Sequence, residues 1–430
     1  MTTPSYFPRW TLREGGVVAP DERLPAAQTI ALGVQHVVAM FGATVLAPLL
    51  MGFDPNVAIF FSGIGTLIFF AAVGGRVPSY LGSSFSFIAV VIAATAYAGS
   101  GPNANIAVAL GGIVAAGAVY AVIGLIVMKV CYAWIETLMP PVVTGAVVAV
   151  IGLNLAPIAV KSISGSSFDT WIGIATIVAV GLVAVRGPGL VRRLPILVGA
   201  IAGYLLYAVL ANGMGIGKPI DFAAVAAASW IGLPRFTAPQ WNAQAIALIA
   251  PVAIILVAEN LGHVKAVAAM TGENLDRYLG RAFLGDGIAT MVAGAGGGTG
   301  VTTYAENIGV MAVTRIYSTL VFVVAAITAI VLGFSPKFGA LIGTIPGPVL
   351  GGLAIVIFGL ITATGARIWV INDVDFGRAR NLVTAAATLT IGAGDLALRL
   401  GGFTLGGIGT ATFGAILMYW ILGHGRDAPR

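Results

Sequence analysis

Residues 294–315, GAGGGTGVTTYAENIGVMAVTR, place a glycine-rich run and a β-branched run before a carboxylate and a brief apolar segment. Gly, Thr and Val favour extended or irregular backbone, which is tolerated at membrane depth only inside protein or beside a water-filled cavity. The apolar residues 308–314 are too few to cross a bilayer alone. We therefore predict an extended segment followed by a half-helix, and the same arrangement for 78–87 (PSYLGSSFSF) with 88–98.

The composition of the whole chain is that of a protein whose solvent is lipid. Hydrophobic residues make up 58% and charged residues 9% of the 430 residues, with a mean hydropathy of +1.00. Soluble domains have about 45–50% apolar and about 25% charged residues. Runs such as 104–128 and 243–258 meet or approach the roughly 20 apolar residues that span a bilayer. We expect an all-α polytopic membrane protein without a sizeable soluble domain.

Breaks at Gly, Pro and charge clusters divide the chain into fourteen candidate spans, among them the eighth at 243–262 and the ninth at 282–295, with both termini on one side and Lys265 in a loop on that side. The positions of the 22 Lys and Arg residues test this division, because basic residues are enriched on the cytoplasmic side. The opposite side receives five of them: Lys161, Lys218, Arg235, Lys337 and Arg399. This bias predicts cytoplasmic termini, and it explains the basic excess without a nucleic-acid partner.

An internal repeat is indicated by residues 140–153 (PPVVTGAVVAVIGL) and 347–360 (GPVLGGLAIVIFGL), which share Pro, Gly and apolar positions at an offset of 207 residues. If the fifth span repeats as the twelfth, each repeat has seven spans, and an odd number gives the two halves opposite orientations. Inverted repeats are common in secondary transporters, whose substrate site lies at the midplane beside broken helices.

The ionisable residues that we identify inside the spans are His36, Glu259, His263 and Glu306. A charged side chain at a helix centre costs about 2.5–3.5 kcal/mol on insertion scales, so such residues are functional-site candidates. Glu259 and His263 are four residues apart and should share one helix face, where the imidazole is positioned to hydrogen-bond the carboxylate.

Other classes of protein lack support in the sequence. Three His, a single cysteine (Cys131) and no H-E-x-x-H motif argue against a metal centre. No phosphate-binding G-x-x-x-x-G-K-[ST] loop is present, so energy should come from an ion gradient without a cofactor. No nucleophile–base constellation suggests an enzyme.

Several segments give the chain a specific family resemblance. The run 302–315 contains an acidic residue, Asn-x-Gly, four residues, Thr and a basic residue, from Glu306 to Arg315. With this signature, the chain resembles the nucleobase–ascorbate transporters over essentially its whole length, and within them bacterial uracil permeases. The other matching segments are QHVVAMFGATVLAPLL (35–50), YLGSSFSFIA (80–89), AENLGHV (258–264) and IPGPVLGG (345–352).

The resemblance implies fourteen spans in two inverted repeats of seven, with short extended segments in broken spans 3 and 10. It implies a core domain and a gate domain, usually in a homodimer, in the cytoplasmic (inner) membrane of a bacterium. The corresponding divisions are a cytoplasmic segment 1–27, core domain 28–130 (spans 1–4) and 243–335 (spans 8–11), gate domain 131–213 (spans 5–7) and 336–423 (spans 12–14), an extracytoplasmic loop 214–242 and a cytoplasmic tail 424–430.

The resemblance also implies the site residues. Glu259 and Glu306 match carboxylates that hydrogen-bond a pyrimidine ring, and Phe85 matches a residue that lines the pocket and offers its backbone amide. The neighbours that shape or tune the site are Tyr304, Ser84, Ala305, His36 and His263. Two positions depart from the uracil-permease pattern: Ala305 stands where Gly is frequent, and Phe358 where Tyr is common.

The chemistry of uracil fits this set, because its flat ring presents two N–H donors and two carbonyl acceptors. We predict a proton-coupled secondary active importer (symporter) of a pyrimidine nucleobase, chiefly uracil. In this hypothesis Glu259, paired with His263 and tuned by His36, takes up a proton outside and releases it inside. The alternatives are a purine permease for xanthine or uric acid, and an anion carrier on the same inverted-repeat plan.

Overall fold

The protein is mostly helical, and a computed structural model describes residues 6–13, 15–99, 101–188, 191–400 and 403–423. The predicted cytoplasmic tail, 424–430, lies outside these residues. The helices are α1 (Ala26–Met51), α2 (Pro55–Ala72), α3 (Ile88–Thr95), α4 (Ile106–Val130), α5 (Ala133–Leu138), α6 (Pro141–Ile163), α7 (Ser167–Arg186), α8 (Pro195–Ala208), α9 (Ala223–Ala227), α10 (Ala243–Ile249), α11 (Val252–Thr271), α12 (Leu279–Gly296), α13 (Ala305–Thr314), α14 (Thr319–Gly333), α15 (Pro336–Gly343), α16 (Gly347–Ile371), α17 (Ala379–Ala393) and α18 (Gly407–Gly423). The short strands form three pairs: β1 (Thr11–Leu12) with β2 (Glu22–Arg23), β3 (Leu81–Ser83) with β4 (Val301–Thr303), and β5 (Leu398–Leu400) with β6 (Phe403–Leu405).

Eight helical segments of the described chain are long and apolar enough to cross a membrane. They are α1, α2, α4, α6, α7, α8 with the π-helical turn Val209–Gly213, α10 with α11, and α16. A ninth results if α14 and α15, bent by 82° at their break, form one span. The remaining helices at predicted spans are shorter or more polar, such as α17 with 15 residues. The count of fourteen spans therefore stays a prediction.

The eighth predicted span is longer and more bent than the sequence suggested. Pro251 separates α10 from α11, because proline cannot donate the backbone hydrogen bond that a continuous helix needs. The second part continues beyond the predicted end at 262 to Thr271, and Gly272 terminates it with φ = 71°. Lys265 is consequently a helical residue, six positions beyond Glu259.

The long helices pack in two groups. In the first, α12 packs on α4 and α2, and α14 packs on α1 and α2. In the second, α6 packs on α16, α17 and α18, while α7 packs on α8 and α16. Small residues let the backbones touch in both: a Cβ added at Gly124 would lie 2.9 Å from the Gly280 carbonyl oxygen, and one at Gly365 2.5 Å from that of Gly145.

Strands β3 and β4 pair antiparallel in the interior, with Leu81 opposite Thr303 and Ser83 opposite Val301. A threonine from a neighbouring helix satisfies the outer edge of each strand. Leu81 N donates to Thr66 Oγ1 (2.9 Å) from α2, and Val301 N donates to Thr290 Oγ1 (3.2 Å) from α12. Each strand leads into a short helix, α3 or α13, as the sequence predicted, and the two helices leave the strand pair in opposite directions.

Candidate functional site

The strand pair brings the two irregular segments together at the start of their helices. Ser84 N donates to the Gly300 carbonyl (2.9 Å), and Tyr304 N donates to the Tyr80 carbonyl (3.0 Å). The 3-10 turn Phe85–Phe87 and the first turn of α13 therefore begin on either side of one small sheet. Helix α11 packs against the 3-10 turn, β4 and α13, so predicted site residues from three parts of the chain converge here.

Glu259 on α11 and Glu306 in the first turn of α13 are the two carboxylates of this region. Helix α11 packs against α13, so the two residues lie on neighbouring helices. The side chains of Glu259 and Glu306 are half-buried, and Ala305, next to Glu306, is exposed. There is therefore open space around the two carboxyl groups. Glu259 Oε2 is buried without a hydrogen-bond donor among the described residues. A buried acceptor left without a donor is costly, which points to a ligand or a proton as its partner.

Phe85 forms an apolar wall of this region. Its ring is nearly buried, and its centroid lies 5.8 Å from that of Phe358 on α16 in an edge-to-face arrangement of 83°. The pair joins the 3-10 turn to a helix of the second packing group. The Phe358 side chain has no hydroxyl group and meets Phe85 through its ring.

The hydroxyl groups of Tyr304 and Ser84 hydrogen-bond to the backbone that surrounds the site. Tyr304 Oη donates to the Ser83 carbonyl (2.7 Å) and accepts from Thr44 Oγ1 (3.2 Å). Ser84 Oγ accepts from Ser86 N (3.3 Å) and caps the 3-10 turn. Because both side chains are buried and already bonded, their described contacts fix the backbone that surrounds the carboxylates.

The two histidines contact residues that the sequence did not indicate. The structure places His263 Nδ1 2.8 Å from Thr303 Oγ1 on β4, and the predicted hydrogen bond to Glu259 is not found among the described residues. His36 on α1 is buried, and Asn307 Nδ2 lies 3.0 Å from its Nδ1 and 3.1 Å from its carbonyl oxygen. Each imidazole is thus joined to the β4–α13 segment beside Glu306.

A buried polar network behind Glu259 was missed by sequence reasoning. Asn260 Nδ2 donates to Tyr120 Oη and to Asp286 Oδ2, both at 2.9 Å, and Asn260 Oδ1 accepts from Thr303 Oγ1 (3.4 Å). Asp286 is fully buried, and its Oδ1 has no hydrogen-bond partner among the described residues. The network connects Asp286 on α12 through Asn260 and Thr303 to His263. Asp286 lies within the predicted span 282–295, and its carboxylate in an apolar run was the signal that could have found it.

This arrangement can bind a small polar ring and exchange protons. Two carboxyl groups offer acceptors, the backbone N–H groups of the first turn of α13, which have no acceptor within the helix, offer donors, and Phe85 offers an apolar face. Among the described residues, no group of three or more His, Cys, Asp and Glu side chains is arranged to hold a metal ion.

Comparison with known proteins gives consistent matches along the chain. A family model described as a permease family matches residues 27–400. The putative pyrimidine permease RutG of Escherichia coli (strain K12) is 66% identical over 420 residues, which cover 97% of this chain and 95% of that protein. The uracil permease of Paenibacillus larvae subsp. larvae is 41% identical over 418 residues, covering 94% and 96% of the two chains. The transmembrane domain of the cyanobacterial bicarbonate transporter BicA shares the fold, with a TM-score of 0.60 at 17% identity, covering 85% of this chain and 96% of that one.

Proposed function

The chain belongs to the nucleobase–ascorbate transporter family, whose members are permeases and not enzymes, and we propose that it is a proton-coupled importer of a pyrimidine nucleobase, chiefly uracil. The observation that carries this proposal is the meeting of Glu259 and Glu306 beside Phe85 in the apolar interior. The names of the relatives support the same substrate class.

The donors and acceptors of uracil match the groups that surround this space. The two ring N–H groups would donate to the carboxyl oxygens of Glu259 and Glu306, of which Glu259 Oε2 has no donor among the described residues. The ring carbonyls would accept from backbone N–H groups at Phe85 and at Ala305 in the first turn of α13. The flat face would lie against the Phe85 ring. A ligand that lacked the N–H groups would leave two carboxylates unpaired, which explains a preference for this class.

Coupling to a proton follows from the charge of the site. Among the described residues neither Glu259 nor Glu306 has an ion-pair partner. Two carboxylates side by side in apolar surroundings cost free energy, so a proton on Glu259 would accompany the substrate inward. His263, held by Thr303, and His36, held by Asn307, are the groups that we propose to tune this proton.

The transport cycle that we propose is alternating access between a core domain (28–130 and 243–335) and a gate domain (131–213 and 336–423). The two packing groups of helices support this division. We propose fourteen spans arranged as inverted repeats, and the matching edge bonds of β3 to Thr66 and of β4 to Thr290 support the repeat. We further propose a homodimer in the bacterial inner membrane with both termini in the cytoplasm, on the basis of the family membership and the distribution of basic residues.

The test is uptake of radiolabelled uracil by proteoliposomes with and without an inward proton gradient. We expect stimulated uptake for the wild type and its loss for Glu306→Ala. Glu273→Gln, which changes an exposed carboxylate in the α11–α12 loop, is the matched control and should transport normally. Inhibition of uptake by unlabelled xanthine or bicarbonate, or an absence of uracil uptake, would contradict the assignment to pyrimidines.

A further inference from the structure

A cavity of about 590 Å³ lies between α3 and α10 on one side and the β5–β6 hairpin with the start of α18 on the other. We call it the outer cavity, and the lining residues that matter below are Val90, Ala93, Gln244, Asp395, Arg399 and Thr404. Its volume is within the range of about 300–1,000 Å³ for small-molecule sites. None of the carboxylates or histidines of the candidate site lines it. The outer cavity is therefore a separate space.

The outer cavity lies on the side of the molecule opposite to the N-terminal residues. Helix α13 ends at Thr314, and the carbonyl of the next residue, Arg315, accepts from Val18 N (3.1 Å) in the N-terminal segment. Helix α3 leaves the strand pair in the other direction, and its residues Ala89 and Ala93 line the outer cavity. They are one and two turns from Phe85, or about 6 Å and 12 Å at 1.5 Å per residue. The outer cavity thus lies directly beyond Phe85 on the proposed extracytoplasmic side.

The floor of the outer cavity is an apolar contact between α3 and α10, which pack on α4 of the first group, and the segment that leads into α18 of the second group. A Cβ added at Gly406 would lie 3.6 Å from Val90 Cγ1 on α3 and 3.7 Å from Leu248 Cδ1 on α10. Val90 and Ile408 at this end are buried, whereas Ala93 and Arg399 at the other end are exposed. The outer cavity is therefore open to the outside and closed toward Phe85. Within the described chain, no hydrogen bond crosses the contact that forms its floor.

The polar groups of the outer cavity are of both kinds and are not paired with each other. Asp395 Oδ1 accepts from Asn154 Nδ2 (3.0 Å) and Gly407 N (3.1 Å), which fixes the carboxylate and leaves Oδ2 without a described donor. Arg399 has no ion-pair partner among the described residues. Gln244 and Thr404 add an amide and a hydroxyl. An anion would meet Asp395 and a cation would meet Arg399, so the set favours a neutral ligand with both N–H and C=O groups.

We propose that the outer cavity is a reception site that binds the nucleobase from the extracytoplasmic side before the floor at Val90, Leu248 and Gly406 opens. This inference rests on the proposed function for the class of ligand, a neutral flat heterocycle with alternating donors and acceptors. The carboxylate Asp395 accepts from a ring N–H, Arg399 donates to a ring carbonyl, and the alanines of α3 contact the ring face. Binding there does not need Glu306.

The test uses a single cysteine as a reporter of occupancy. Cys131→Ser removes the chain's one native cysteine, and Ala93→Cys places a thiol at the exposed end of the outer cavity. A membrane-impermeant methanethiosulfonate is applied to right-side-out vesicles with and without uracil, and uracil uptake is measured in the same vesicles. At ten times its Kd, uracil should slow modification roughly tenfold. A thiol at exposed Ala226 in the loop 214–242 is the control and should not be protected.

Two further variants separate the outer cavity from the candidate site. We expect protection of Ala93→Cys to persist when Glu306→Ala abolishes uptake, and to be lost with Arg399→Gln. Uptake without protection, or protection that requires Glu306, would overturn the reception site and leave the proposed function standing. Absence of both uptake and protection in otherwise unchanged vesicles would overturn the proposed function, and the inference with it. Ala397→Cys, at another exposed lining position, is a second reporter if Ala93→Cys does not fold.

Discussion

Glu259 is the residue to which we assign the proton in the proposed coupling, and its buried Oε2 has no donor among the described residues. Glu259→Gln keeps the length and one acceptor oxygen but removes the group that can gain and lose a proton. We expect gradient-driven uptake of uracil to be lost, while exchange of labelled for unlabelled uracil, which moves no net proton, persists at a reduced rate. Counterflow measured beside gradient-driven uptake distinguishes the two.

The control for this prediction is Glu273→Gln. The Glu273 side chain is exposed in the loop after α11, so this variant should show both activities at the wild-type rate. Gradient-driven uptake that survived in Glu259→Gln would show that the proton is carried elsewhere. Asp286, with its unpaired Oδ1 and its link through Asn260 and Thr303 to His263, would be the next candidate.

Single residues could be predicted from the sequence where a charged side chain stands in an apolar segment. Glu259 and Glu306 could be identified because a carboxylate in an apolar run is costly. Their partners could not, since the contact of His263 with Thr303 and that of Asn307 with His36 join segments far apart in the chain. A spacing of four residues indicates a shared helix face, but it does not determine which neighbour the imidazole contacts.

The β3–β4 pair is the element that fixes the site, and Gly82 is its most constrained residue. A Cβ at this position would lie 2.5 Å from both Thr44 Oγ1 and Tyr304 Cζ. We expect Gly82→Ala to lower the free energy of unfolding by about 1–3 kcal/mol, because buried Tyr304 must shift. The melting temperature in detergent measures this. Gly181→Ala on α7, where a Cβ would meet nothing within 4 Å, is the control, and an equal effect of both variants would contradict the steric explanation.

Helix α5 is attached to α11 by a charged cluster at the end of the molecule that contains the predicted cytoplasmic loops. Lys265 Nζ lies 2.8 Å from Asp276 Oδ1 and 3.2 Å from Glu136 Oε1, and Tyr132 Oη donates to Asp276 Oδ2 (2.6 Å). Burial opposes ionisation of Asp276, but the hydrogen bonds from Lys265 and Tyr132 outweigh it, so the pKa of Asp276 is lowered. The cluster therefore stabilises the folded state only while Asp276 is ionised.

Because the pKa of Asp276 is lower in the folded than in the unfolded protein, the cluster stabilises the fold fully at pH values above the unfolded-state pKa of about 3.9. The stabilisation is lost as the pH falls through the pKa of the folded state. We expect Asp276→Asn to melt below the wild type at neutral pH, with the difference closing as the pH drops beneath about 4. Melting curves of both proteins across this range provide the measurement. Asp221→Asn, in the loop 214–242, serves as the control, and a difference that is independent of pH would rule out the ion pairs as its cause.

The type of a secondary-structure element was easier to predict from the sequence than its length or its pairing partner. The Gly- and Ser-rich composition of 78–87 and 294–304 predicted extended segments, and β3 and β4 confirm it. Their register depends on threonines of α2 and α12, which no local pattern indicates. The end of α11 was predicted nine residues early, because the charged Lys265 was taken as a loop residue; the helix instead continues through Gly262 and ends at Gly272, which has φ = 71°.

In the proposed transport cycle the two packing groups move relative to each other, and this movement opens the outer face of the molecule. It can be tested at the contact between Gly406 and Val90. A Cβ at Gly406 would lie 3.6 Å from Val90 Cγ1, so cysteines at these two positions are near the separation that a disulfide requires. In a Cys131→Ser background, we expect oxidation of Val90→Cys with Gly406→Cys to stop uracil uptake and reduction to restore it. Each single variant under the same oxidant should keep its uptake. Full uptake with the disulfide in place would mean that this floor stays closed throughout transport, and substrate would then have to reach Phe85 by a route that avoids the outer cavity.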